Sequence, residues 1–185
     1  MSLASRLPYD HPYAGGFSGI GSQPLPTDAD ALDYLSRMAT ADGAGVETGV
    51  AVAVDAFFRD SKAAGVFSAL KACCILCGAR TLAGALVPVV GTAPTSNGFV
   101  EGDYSRTAGL AGDGTSYLDS RRASNADGLN NQHIAVNVSA PATLATAMYI
   151  GADGGSSANV EIYKSSSDLV FRSRAGSTAT AAGSG

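Results

Sequence analysis

Apolar positions in the first half of the chain recur at helical spacing, and those in the second half recur every other residue. Leu32, Leu35 and Met38 form one stripe of an expected helix that begins at Thr27. The Thr27 hydroxyl is placed to cap its first turn, and Asp28 and Asp30 put negative charge at the positive end of its dipole. Ala41-Asp42-Gly43 ends it. Val46, Val50, Val54 and Phe57 predict a second helix, with an Asp55–Arg59 pair on its outer face. A third, shorter helix is expected from Gly65 to Lys71, burying Val66, Phe67 and Leu70. Cys73–Cys77 reads as a buried strand, and Thr81–Leu86 as one more helical turn that Pro88 ends.

From Gly98 the period changes to two. Tyr117-Leu118 lies in the first clear strand, and Ile134, Val136 and Val138 alternate with His133, Ala135 and Asn137 in another. Further strands are expected at Ala145–Ile150, Asn159–Lys164 and Leu169–Ser173. Gly151-Ala152-Asp153-Gly154-Gly155 and Ser165-Ser166-Ser167 divide them. The expected fold class is α+β: short N-terminal helices followed by an antiparallel β-sandwich of jelly-roll type. Four segments follow: an extended anchoring arm over 1–26, a small helical region with one strand over 27–90, the β-sandwich portion over 91–175, and a flexible Ala/Ser/Gly-rich end over 176–185. Five or six strands make a poor closed sandwich and leave an open edge, so the native chain is expected to continue past Gly185 or to be covered by another chain.

Composition narrows the classes. Charged residues are 15% of the chain, against roughly 25% in ordinary domains, and there are 23 glycines and no tryptophan. Sparse charge with many small residues suits a β-rich surface protein stabilised by partner chains. A net charge of −4 removes the electrostatic basis for non-specific nucleic-acid binding, and the adjacent pair Arg121-Arg122 reads as a solvated loop. No apolar run reaches the roughly 18 residues that would span a bilayer. The start lacks a charged segment leading into an apolar one, so Sec-type export is not expected. The arm carries Pro8, Pro12, Pro24 and Pro26, and Tyr9, Tyr13 and Phe17 could dock it on a partner surface.

Candidate chemistry is thin. Cys73, Cys74 and Cys77 cluster without the fourth ligand a structural zinc site needs, and they read as small buried apolar residues. His11 sits in the arm and His133 in an expected strand; no Gly-x-Ser-x-Gly elbow accompanies either, and Gly16-Phe17-Ser18-Gly19-Ile20 lacks the final glycine. The Gly16, Gly19 and Gly21 cluster lacks the strand–turn–helix setting of a phosphate loop. Asp113, Asp119 and Asp127 could pair for glycoside hydrolysis, or join Asn125, Asn130 and Asn131 in a calcium or sugar site, but a plain exposed polar loop is the favoured reading of them. No catalytic, cofactor-binding or metal-ligating residue is assigned, and no cofactor is expected.

Three segments read together carry a resemblance. They are Gly84-Ala85-Leu86-Val87-Pro88, then Phe99–Tyr104, then Thr107-Ala108-Gly109-Leu110-Ala111-Gly112-Asp113-Gly114-Thr115-Ser116-Tyr117-Leu118-Asp119-Ser120. The chain resembles a group of tailed-bacteriophage virion proteins over roughly residues 46–175. In that group a helical stretch and an "ALV" segment precede a "GLxGDGtsYLDS" strand that opens a concanavalin-like (laminin-G-like) jelly roll. Asn125-Ala126-Asp127 and Gln132-His133-Ile134-Ala135-Val136 resemble the next part of the pattern. The resemblance implies a tail-fibre or spike component, not an enzyme. It would be assembled in the bacterial host cytoplasm, displayed on the virion and joined to other virion proteins through residues 1–60. It also implies a homotrimer whose β domain meets host-surface glycans, with no nucleic-acid partner and no membrane insertion. A head-decoration protein and a polysaccharide depolymerase tailspike are the alternatives. The motif marks a scaffold and carries over no site residue.

Overall fold

The structure, a computed structural model, describes residues 25–123, 125–127, 132–152, 160–173 and 179–182. The arm expected over 1–26, with His11, its aromatics and its glycine cluster, lies outside these residues except for Leu25 and Pro26. The protein is α+β, with helices and small antiparallel sheets. Its described residues fall into two units: one runs to Pro94 and takes in Phe99–Ala111, and the other joins Thr95–Gly98 to the residues from Gly112 onward.

In the first unit α1 (Ala29–Asp42) and α2 (Thr48–Ala63) carry the core. Asp28, rather than Thr27, caps α1, accepting hydrogen bonds from the Asp30 and Ala31 amides at 3.0 and 3.1 Å. Gly43 closes the helix at φ 64°, the left-handed conformation that glycine adopts without a Cβ clash. The buried face of α1 is Ala31, Tyr34, Leu35 and Met38, and that of α2 is Ala51, Val54, Asp55 and Phe58. Leu32 and Phe57, placed in the stripes by spacing, are instead 49% and 37% exposed. The Tyr34 and Phe58 rings stand 5.9 Å apart, and Phe58 lies 5.3 Å from Phe67. Each fully buried large side chain of this kind contributes about 2 kcal/mol.

The third expected helix is a single 3-10 turn, Phe67–Ala69, with Val66 50% exposed. The cysteine strand is shorter than expected: β1 (Cys73–Cys74) pairs antiparallel with β2 (Pro88–Val90), and Cys77 lies outside it and exposed. The helical turn before Pro88 is α3 (Leu82–Ala85). In the second unit β3 (Thr95–Asn97) pairs with Tyr117–Asp119; a further hairpin, β4 (Tyr104–Ser105) with β5 (Gly109–Leu110), belongs to the first unit.

Calling the strand Tyr117–Asp119 β6, the largest sheet then runs β10–β9–β8–β7, an antiparallel meander of β7 (Thr146–Ala152), β8 (Val160–Ser165), β9 (Asp168–Ser173) and β10 (Ala179–Ala182). Two expectations need correction here. Residues 132–138 form no strand despite their alternation, and Val136 and Val138 are 40% and 39% exposed. Alternation suits a pleated surface only where a neighbouring strand offers a ladder, and none pairs with these residues among those described. Conversely, Ala179–Ala182 lies inside the stretch read as a flexible end, yet it pairs in register with Phe171, Val170, Leu169 and Asp168.

A register shift between Met148 and Ile150 places Tyr149 at a bulge. Its hydroxyl accepts from the Ala142 amide at 3.1 Å, while Lys164 Nζ donates to the Ala142 carbonyl at 2.5 Å. Those two bonds hold the preceding loop against the sheet. No helix among the described residues is long and apolar enough to cross a membrane.

Candidate functional site

The resemblance string centres on the Gly112–Ser120 turn, and the structure accounts for each carboxylate in and after it. Asp113 Oδ1 accepts hydrogen bonds from the Thr115 and Ser116 amides, both at 2.8 Å, and from Thr115 Oγ1 at 2.9 Å. This is an Asx-type turn in which a side chain takes the place of a backbone acceptor. The donated bonds, the Thr115 amide first, hold the Asp113 carboxyl well below the usual range. That shift runs opposite to the one a general acid requires.

The turn delivers the chain into β6, in register with Thr95, Ser96 and Asn97. Asp119 Oδ1 accepts from the Arg121 amide at 2.7 Å, and Arg121 Nε donates to Thr95 Oγ1 at 3.0 Å. Asp127 is bound by Arg122, 2.5 Å from Nη2, so Arg122 is part of an ion pair and not simply solvated. Hydrogen bonding to Asp127 raises the Arg122 pKa. Each carboxylate of the expected site is thus engaged by its own neighbourhood. Among the described residues no group of three His, Cys, Asp or Glu side chains could hold a metal ion. Asn125 is exposed, His133 is exposed, and Asn130 and Asn131 lie outside the described residues.

The thiols are similarly quiet. Cys73, Cys74 and Cys77 are free. Burial, followed by the neighbouring Cys73 sulfur, pushes the Cys74 thiol up to about 11, and burial alone raises that of Cys73. Such thiols are poorly ionised near neutrality and are weak nucleophiles.

The most organised polar constellation lies where the chain meets α1, and sequence spacing misplaces it. Asp55 is 3% exposed rather than on an outer face. Its Oδ1 accepts from the Thr27 and Asp28 amides, both at 2.8 Å, and its Oδ2 receives Arg59 Nε at 2.8 Å. Lys62 Nζ lies 2.7 Å from both oxygens of Asp28 and 2.6 Å from Asp30 Oδ2. The same ammonium stands 5.2 Å from the centre of the Phe67 ring. The signal in the sequence is the i, i+4 pair Asp55–Arg59, which gives the partner correctly and the exposure wrongly.

A second polar knot involves Glu47, whose carboxylate is bridged to Arg80 at 2.7 Å and to Arg106. Beside it Asp42 accepts from the Arg80 and Thr81 amides at 2.8 and 2.9 Å, and Glu101 accepts from the Leu82 amide at 2.9 Å. Both knots satisfy backbone donors and charges that the small core cannot bury unpaired.

This geometry defines a protein of the α+β class with polar locks between its elements. Comparison with protein-family models, with curated proteins and with solved structures finds no match.

Proposed function

We propose that the chain is a structural protein of a bacteriophage or phage-like particle, a tail-fibre or spike component. Its N-terminal region would anchor to the particle, and its β portion, a concanavalin-like jelly roll, would present a surface to host glycans. The observation that carries this reading is the string Gly109–Ser120, which resembles the strand opening such jelly rolls. Its Asp113 turn and its Tyr117–Asp119 strand have the turn-then-strand form that the resemblance implies.

The apolar balance of the second unit supports a multi-chain assembly. Its meander buries Val160 and Val170, whereas Met148, Phe171, Tyr117 and Leu144 are 58%, 38%, 59% and 45% exposed. Exposed large apolar side chains of this kind are what neighbouring copies would cover in the homotrimer that the resemblance implies.

Immunogold labelling of purified particles tests the assignment: label on the tail is expected. Label on the capsid would turn the reading to head decoration, and particles without the chain would overturn it. Release of reducing ends from host capsule or lipopolysaccharide would turn it to a depolymerase. Light scattering of the purified chain reads the trimer directly, and a stable monomer overturns that part.

A further inference from the structure

The ribbon of β3 and β6 gathers an exposed aromatic ring and two charged side chains on one face. Tyr117 stands opposite Asn97, and Asp119 opposite Thr95, so the alternation of an antiparallel pair puts these four together. Ser96 and Leu118 take the other face. Opposed side chains on such a face start about 5 Å apart, and successive ones along a strand about 7 Å apart. Tyr117 is 59% exposed, and Asp119 beside it is exposed too. Arg121 joins them from just past β6. Its backbone holds φ 57°, a left-handed conformation that a residue with a Cβ keeps only where its surroundings fix it. Here Asp119 Oδ1 receives its amide at 2.7 Å, and Thr95 Oγ1 receives its Nε at 3.0 Å. Among the described residues, Asp119 Oδ2 and the two terminal nitrogens of Arg121 have no hydrogen-bond partner.

The geometry points to a binding site for a neutral hexopyranose unit, with Tyr117 as the stacking platform and Asp119 and Arg121 as the hydroxyl-binding pair. The site deepens the host-glycan reading above and rests on it. A pyranose has a face of C–H bonds that suits an exposed aromatic ring, and a rim of hydroxyls that both donate and accept. Two neighbouring hydroxyls can donate to Asp119 Oδ2 and accept from the Arg121 guanidinium at once. An acidic sugar would instead meet the open carboxylate oxygen, and the net charge of −4 on the chain opposes polyanions in general. Phe171, by contrast, lies in register with Ile162 on one side and Ala179 on the other, a wholly apolar setting. Tyr117 is therefore assigned to the ligand, and Phe171 is left to neighbouring copies. An open platform on a two-stranded ribbon holds one sugar weakly, and several copies displaying it would hold a repeating glycan far more tightly.

Saturation-transfer difference NMR of the full chain with methyl glucoside, mannoside and galactoside, and with methyl glucuronide, tests it. Transfer to the ring C–H protons of at least one neutral pyranoside is expected, with a weaker signal for the glucuronide. Tyr117→Ala and Arg121→Ala, both at exposed positions, should each lower the affinity about tenfold and leave the far-UV circular dichroism unchanged. Tyr117→Phe keeps the platform and should keep the binding. Unchanged affinity in either alanine variant would overturn the site and leave the host-glycan reading standing. A stronger signal for the glucuronide, or a Tyr117→Ala chain that changes only its oligomeric state by light scattering, would overturn the site as well. So would no transfer to any of the four sugars, and the broader reading falls with it only if host lipopolysaccharide and capsule also fail to bind.

Discussion

The Asp42 carboxylate lies directly against the Cα of Gly84, so a Cβ built on Gly84 would overlap Asp42 Oδ1. The contact exists because Asp42 reaches from the end of α1 to accept from the Arg80 and Thr81 amides and from Thr81 Oγ1 at the start of α3. Gly84→Ala is therefore expected to cost about 2 kcal/mol through overpacking. Asp42→Ala removes the obstacle, so the two changes should couple, with Gly84→Ala costing less in the Asp42→Ala background. A double-mutant cycle by urea denaturation checks this. Additive costs would mean that the contact does not constrain residue 84.

Asp55 makes acid sensitivity a property of the α1–α2 join. The amide of Asp28, then that of Thr27, then Arg59 hold its carboxyl below the usual value of about 3.9. A folded-state pKa below the unfolded one means that folding releases protons. The stabilisation is fully present above about pH 4 and is lost as pH falls through the lowered folded value. Asp55→Asn keeps an oxygen for the two amides but removes the charge. It should stay folded at pH 7 and lose much of the stability difference between pH 7 and pH 3. Asp55→Ala leaves the amides without their acceptor and should cost about 2 kcal/mol at pH 7. Equal pH dependence in wild type and Asp55→Asn would remove Asp55 from this role.

Tyr34 is fully buried, and among the described residues its hydroxyl has no hydrogen-bond partner. Burial raises its phenol pKa, as expected of a group cut off from water. Tyr34→Phe removes an unpaired polar atom and keeps the ring contact with Phe58. It should stabilise the first unit by about 1 kcal/mol, measured by thermal denaturation. A loss of stability would place a bound water at that hydroxyl.

The thiols should separate by exposure. With Cys74 raised to about 11 and Cys73 raised by burial, exposed Cys77 is expected to react first with a disulfide reagent at pH 8. Cys77→Ser should abolish the fast phase and leave the slow one. A fast phase that persists would mean that the β1 edge opens readily.

Local repetition made parts of this fold readable. β7, β8 and β9 stand close to their expected spans because alternating apolar residues are bounded there by serine and glycine turns. The helices were legible as elements but not in phase. Adjacent Phe57 and Phe58 offer two faces, and the stripe through Phe58 includes Asp55, a residue that spacing alone assigns to solvent. The short pairs β1–β2 and β3–β6 depend on partners far along the chain, which no window of sequence contains. Ala179–Ala182 has little strand propensity of its own and is a strand because β9 offers it a ladder. At the candidate site the three aspartates were legible as positions. Their bonds to Thr115, Arg121 and Arg122 were not, since each depends on how a turn closes.

The β8–β9 hairpin offers a last test. Ser165 pairs with Asp168, leaving Ser166 and Ser167 as the loop, and Ser166 holds φ 55°. A residue with a Cβ in that conformation costs about 1 kcal/mol relative to glycine, part of which glycine returns through its larger unfolded-state entropy. Ser166→Gly should therefore stabilise the hairpin by about 0.5 kcal/mol, and Ser166→Val, branched at Cβ, should destabilise it. Its amide also donates to the Ala145 carbonyl at 2.7 Å, a bond that glycine preserves. Amide hydrogen exchange in β8 and β9 provides the readout, with protection expected to rise in the glycine variant and fall in the valine one. The reverse order would show that the left-handed residue is not what limits this turn.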